Sequence, residues 1–240
     1  SKIPAKNRLA DFPHYLMHRA EQLDNLYIFK NTEGTPENIR KFHPNIIVSS
    51  TGSAPLLPPI AGLKDRIDNE NHNIYSILGM ISHINDFPKD LEGKKVVVVG
   101  GGAVGLDVVE FFADRNADIS IVEMMDQIGR DLDPVSKNDT KTMMKKHNVH
   151  QLTKTALLEV KDSSFLVKGD GEPYELPFEY GFVCLGMRAQ GQLYQNLTEE
   201  FSSEDVEIMN IGDSQRARRI IDGTQEGRNI LTVLEQKGYL

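Results

Sequence analysis

The chain has 240 residues, a formal net charge of −8, 26% charged residues and 39% hydrophobic ones. That composition suits a globular core and argues against nucleic acid or an anionic membrane as partner, since both require a basic face. One cysteine, Cys184, excludes a disulfide framework, a cysteine zinc cluster and any C-x-x-C redox pair.

The opening stretch SKIPAKNRLADFPHYL holds no apolar signal core, and no apolar run approaches the ~20 residues that cross a bilayer, so a cytoplasmic protein is expected. A chain beginning at Ser1 without methionine is expected to be processed, tagged or a piece of something longer. Phe12 to Leu23 predicts an amphipathic helix, with Asp11 as N-cap and Pro13 in its first turn. His14 and His18 fall on one face of it but lack a third ligand, so they read as surface or packing residues. LYIF (26–29) and NIIVSST (45–51) predict short strands. TGSAPLLPPIAG (51–62) is dense in Pro and Gly and predicts an extended linker, and Met80 to Phe87 predicts a helical segment.

From Lys94 the pattern becomes regular. VVVV (96–99) is a β-branched run of the kind buried on both faces of a parallel sheet. It leads into Gly100-x-Gly102-x-x-Gly105, then a helical period through LDVVEFFADRNA, then a second strand, ISIVE (119–123). This β-turn-α-β unit is the context that gives a G-x-G-x-x-G its meaning as a dinucleotide loop. Gly100 permits the tight turn, Gly102 lets backbone approach a pyrophosphate, and Gly105 lets the helix pack on the strand. Glu123 stands at the end of the second strand, where a carboxylate accepts from a ribose 2′-hydroxyl and repels a 2′-phosphate. Met124, Met125 and Asp126 add no cation, so NADH is expected over NADPH.

Pro134 to His147 predicts a further helix capped by Asp133. ALLEVKDSSFLVKGDGEPYELPFEYGFVCLG alternates apolar runs with turn signals, predicting an antiparallel meander that ends in a buried strand near Gly181–Leu185. There Cys184 reads as a small buried hydrophobe. The acidic run 199–205 reads as a solvated loop. VEIMNIGDSQ predicts a strand (206–211) and a glycine turn, followed by a long helix from about Arg216.

Together these stretches resemble the two-dinucleotide-binding-domain flavoproteins of the pyridine-nucleotide-disulfide-reductase superfamily. STGSAPLLPPIAG (50–62) is similar to their "ATG" linker, FVCLGMRAQ (182–190) to the return between domains, and NIGDSQ (210–215) to their C-terminal "GD" motif. The opening LADFPHYLMHRAEQL looks most like the C-terminal region of old-yellow-enzyme-type reductases, the 2,4-dienoyl-CoA and 2-enoate reductase kind. The resemblance implies that Gly100, Gly102, Val104, Gly105 and Glu123 hold NADH, with Gly186 on the far side, and that Thr51, Gly52, Gly212 and Asp213 face FAD. Ser50 and Ser214 depart mildly from the usual residues. Arg216, Arg218 and Arg219 read as a solvated helix start.

The fold class expected is therefore α/β, with a Rossmann-like NAD-binding domain (parallel sheet plus small antiparallel meander) and an incomplete FAD-binding domain. The domains expected are 1–54 and 181–240 as partial FAD-binding pieces, and 55–180 as the NADH-binding domain. No second G-x-G-x-x-G precedes Gly100. The resemblance implies an FMN-binding barrel and an iron–sulfur cluster, which neither the length nor the single cysteine accommodates. The expectation is that NADH passes hydride to FAD for reduction of an activated C=C bond, enoate or enoyl thioester, at a catalytic domain absent from this chain. That domain would be the chief partner, with a homo-oligomer left open. Two alternatives remain: a barrel-less NADH:acceptor flavin oxidoreductase, and a non-catalytic NAD-binding module.

Overall fold

Val96 and Val98 point to one face of their strand and Val97 and Val99 to the other, and both faces are buried, which is why the run is continuous rather than alternating. The computed structural model describes residues 2–239. Among these, Lys95–Val99 lies in the middle of a five-stranded, wholly parallel sheet. Its order is Ile74–Tyr75, Tyr180–Val183, Lys95–Val99, Asp118–Val122 and His150–Leu152.

Val96 and Val98 share a core with Val108, Val109 and Phe112, from the helix Ala103–Ala113, and with Phe87 and Phe182. Phe112 and Phe182 are fully buried with ring centroids 4.8 Å apart. Burying such a side chain contributes about 1.5–3 kcal/mol. Val97 and Val99 meet Val160, Phe165 and Phe178 on the opposite face. These last come from or adjoin a three-stranded antiparallel meander, Ala156–Val160, Ser164–Lys168 and Tyr174–Pro177. The strand expected to close the meander, observed as Tyr180–Val183, instead enters the parallel sheet beside Lys95–Val99. Gly181 fits there because a Cβ would lie 2.7 Å from the Phe165 ring and 2.8 Å from that of Phe178.

The chain divides into two units, residues 1–22 with 55–186 and residues 23–54 with 187–240. The first segment joins the sheet's unit because Ile3 is buried in its core and Lys6 pairs with Asp107 and Glu110 of the helix Ala103–Ala113. The expected helix appears as Asp11–Ala20, with Pro13 in its first turn but Asp11 inside it rather than capping it. It buries none of its residues.

The second unit is built on a parallel pair, Ile46–Ser49 with Glu207–Asn210. Ile47 packs with Leu197 and Phe201, which lie in and just after the helix Gln192–Glu200, an element with no clear signal in the sequence. Arg40 stacks on the Phe201 ring at 4.6 Å and pairs with Glu200 and Glu204.

Three expectations are corrected. LYIF (26–29) is not a strand: the described residues offer it no pairing partner, and Tyr27 and Phe29 are exposed. The helix placed at Met80–Phe87 is Ile77–Ser82, set by the Ser76 hydroxyl accepting from the Gly79 N–H. The long C-terminal helix begins at Ile220 and is broken at Asn229 into Ile220–Arg228 and Ile230–Gln236.

Candidate functional site

The strand Lys95–Val99 ends in a turn that only glycine can make. Gly100 has φ +108°, and a Cβ on it would lie 2.2 Å from the Cys184 carbonyl oxygen. Gly105, one turn into the helix, sits on that same turn: a Cβ there would be 1.9 Å from the Gly100 carbonyl oxygen. Gly102, at the helix N-cap, behaves differently. It has ordinary extended backbone and receives no side-chain cap, and a Cβ on it would meet nothing within 4 Å. The same openness holds at Gly186. Gly102 and Gly186 thus leave open space, whereas Gly100 and Gly105 are held close against neighbouring backbone.

Glu123 is fixed from both sides. Its Oε2 accepts from the Gly101 N–H at 2.6 Å, and its Oε1 accepts from the Met125 N–H at 2.8 Å. Its own backbone bonds Leu152 and Thr155. An ionised carboxylate has about four acceptor positions, so two remain for a ligand's hydroxyls. Gly100, Gly102, Val104, Glu123 and Gly186 together line a cleft of about 580 Å³, within the range of small-molecule sites. Gly105 lies below it. The walls are apolar, from Pro58, Ile60, Leu157 and Leu185. Uncapped N–H groups at a helix start, an open N-cap glycine and a carboxylate at the next strand end suit a dinucleotide's pyrophosphate and ribose.

Sequence reasoning missed the linker and meander residues of these walls, because they reach the cleft only through the tertiary fold. It also stopped at Asp126 and so missed Arg130 and Asp131, which line an adjoining pocket of about 280 Å³ with Gly101, Gly102 and Glu123. Cys184 lines the cleft through a buried position, and burial pushes its thiol up to about 12.

Thr51, Gly52, Gly212 and Asp213 gather in the second unit. The Thr51 hydroxyl donates to the Gln190 carbonyl at 2.7 Å, and Asp213 accepts from the Ser53 hydroxyl and the Arg218 N–H. Gly52 and Gly212 both have positive φ and open space where a Cβ would stand. The Gly212 N–H donates to Glu226 at 2.6 Å, and Glu226 in turn pairs with Arg218. The Gly212 bond and the Arg218 guanidinium hold the Glu226 carboxyl below its ordinary range. Arg216, Arg218 and Arg219 precede the helix instead of beginning it. Among the described residues no group of three or more ligating side chains could hold a metal, and no helix is long and apolar enough to cross a membrane.

Comparison with known proteins places the chain in a family. The model of the pyridine nucleotide-disulphide oxidoreductases matches residues 19–209. A metal reductase of Desulforamulus reducens is 27% identical over 91% of this chain and 36% of its own length. An NADH oxidase of Thermoanaerobacter brockii is 26% identical over 80% of this chain and 28% of its own. Among solved structures, a 2-naphthoyl-CoA reductase complex superposes with a TM-score of 0.77 at 21% identity, over 94% of this chain and 32% of that one. The chain therefore spans about a third of the length of these relatives. Binding of flavin and nicotinamide cofactors fits such a family of oxidoreductases. With four-fifths of its residues matched, the chain belongs to the pyridine nucleotide-disulphide oxidoreductase family.

Proposed function

We propose that this chain is the NADH-binding module of a flavin oxidoreductase, the part at which hydride enters. The observation that carries the reading is Glu123, clamped by two backbone N–H groups at a strand end beside the open Gly102. NADH, held in this cleft, would supply hydride for a flavin. The chain's own residues hold and orient: Gly100, Gly102 and Val104 take the pyrophosphate at the helix start, Glu123 takes the ribose hydroxyls, and Gly186 leaves room on the opposite wall. Gly105 supports the loop from beneath.

The pieces read as 1–54 and 181–240 correspond in contact terms to 23–54 and 187–240, and we assign them to an FAD-binding domain through Thr51, Gly52, Gly212 and Asp213. The relatives carry names that point to different activities: metal reductase, NADH oxidase and 2-naphthoyl-CoA reductase. That variety supports an acceptor site outside this module, on the remaining part of a longer polypeptide with its own FMN or iron–sulfur centre. For that acceptor we take an activated C=C bond, enoate or enoyl thioester, and for the setting the cytoplasm, as the sequence resemblance and the absence of an apolar signal core in the opening stretch imply.

Isothermal titration of the 240-residue chain tests the core of this. NADH is expected to bind at least about tenfold more tightly than NADPH, a difference of ~1.4 kcal/mol. Equal affinities, or no NADH binding, overturn the reading. For the acceptor, the whole flavin-loaded polypeptide should oxidise NADH when an enoate or enoyl thioester is added, and failure with its flavin intact sinks the C=C assignment.

A further inference from the structure

The helix Ala103–Ala113, whose start takes the pyrophosphate, also carries two carboxylates, Asp107 and Glu110, that the dinucleotide reading does not use. An α-helix rises about 1.5 Å per residue, so they stand about 7.5 and 12 Å along the axis from its N-cap, Gly102. Both line a second pocket, of about 330 Å³, together with Ser136, Asp139 and Thr140 of the helix Pro134–Lys146. Ala103, the first residue of the nucleotide-binding helix, lines this pocket and the main cleft alike. The one cation among the lining residues is Lys6.

Lys6 arrives from far away in the chain. Ile3, buried in the core of the sheet, anchors its segment, and the Ile3 carbonyl accepts from the Lys6 N–H at 2.8 Å. The Lys6 ammonium bonds Asp107 and lies 3.4 Å from Glu110, and all three side chains are half-buried. Burial opposes the charge, yet the two carboxylates outweigh it and hold Lys6 above its ordinary range. Among the described residues no other cation pairs with either carboxylate.

We infer that Lys6 is a positioning residue for the dinucleotide: by offsetting the charge of Asp107 and Glu110, it keeps the helix start attractive to the pyrophosphate. The inference rests on the dinucleotide reading of the cleft. A partly exposed ion pair adds little to stability. Its loss, however, would leave two uncompensated carboxylates within about one Debye length of the phosphates, ~10 Å at 0.1 M salt. They would oppose the anion that the helix start otherwise favours.

The test is titration of wild type, Lys6→Gln, Lys6→Arg, Asp107→Asn and Lys6→Gln/Asp107→Asn with NADH, at about 0.01 M and about 0.5 M salt. Lys6→Gln should weaken binding about three- to fivefold at low salt and less than about twofold at high salt, where screening shortens the reach of the carboxylates. Lys6→Arg keeps the charge and should stay within about twofold of wild type. Lys6→Gln/Asp107→Asn removes one charge of each sign and should recover wild-type affinity to within about twofold, which a segment acting through packing alone would not do. Should Lys6→Gln melt below the assay temperature, Asp107→Asn decides, because removing that carboxylate should tighten NADH about two- to threefold at low salt. No loss in Lys6→Gln, a loss equal at both salts, a double variant as weak as Lys6→Gln, or an Asp107→Asn that fails to tighten overturns the inference and leaves the cleft reading intact. A wild type that does not bind NADH sinks both.

Discussion

Glycines in one motif serve opposite purposes here, and single substitutions separate them. At Gly105 a methyl group would collide with the Gly100 carbonyl at 1.9 Å, so Gly105→Ala should destabilise the fold by roughly 1–3 kcal/mol or more, read by urea denaturation. At Gly102 a Cβ meets nothing within 4 Å, so Gly102→Ala should leave the urea midpoint nearly unchanged while NADH affinity falls about tenfold. If both variants behave alike, the division into a supporting glycine and a ligand-facing one is wrong. Glu123 combines both purposes. Removing it orphans the Gly101 and Met125 N–H groups as well as the ribose contact, so Glu123→Ala should lower stability by about 1–2 kcal/mol and abolish the preference for NADH. Glu123→Gln, which keeps an acceptor, should retain more of the stability.

Elements with a strong local signal were legible in the sequence, and those held by distant partners were not. Asp133 followed by Pro134 predicted a helix start, and the carboxylate does accept from Val135 and Ser136. Its bond from the Ser136 hydroxyl, with the backbone bonds, holds the carboxyl below its ordinary range. A depressed carboxyl contributes stability above its unfolded pKa, near 3.9, and loses it as pH falls through the lower folded value. The melting gap between wild type and Asp133→Ala should therefore be full at pH 7 and close as the pH is lowered below about 4. A gap that persists at pH 2 would show that the cap acts without its charge. LYIF has strand composition but no neighbour to pair with among the described residues, and composition cannot report a missing partner. Arg130 was illegible for the opposite reason: seven residues past Glu123 in an irregular segment, it returns to the loop only through the path of the backbone. Gly181 is similar, an unremarked residue in the sequence that two phenyl rings make obligatory.

On the scale of the molecule, Cys184 reports on the unit that carries the cleft. It is buried in that unit's larger core, with its thiol pushed up to about 12. Thiol reagents at pH 8 should label the native chain only through opening of this unit, and saturating NADH should slow the labelling by favouring the closed form. Labelling as fast as that of the urea-unfolded chain would contradict the burial. The stretch 55–186 of this unit interrupts the other one, whose segments 23–54 and 187–240 flank that stretch in the chain. Its own ends meet, since the Leu56 N–H donates to the Gly186 carbonyl at 2.9 Å. During synthesis this arrangement imposes an order. At ~5–20 residues per second, the segment carrying Ile46–Ser49 leaves the ribosome on the order of ten seconds before Glu207–Asn210 exists to pair with it. Until then Ile47 has no Leu197 or Phe201 to bury it, and the nascent segment stands open to chaperones while residues 55–186, inserted between the two segments in the chain, are completed first.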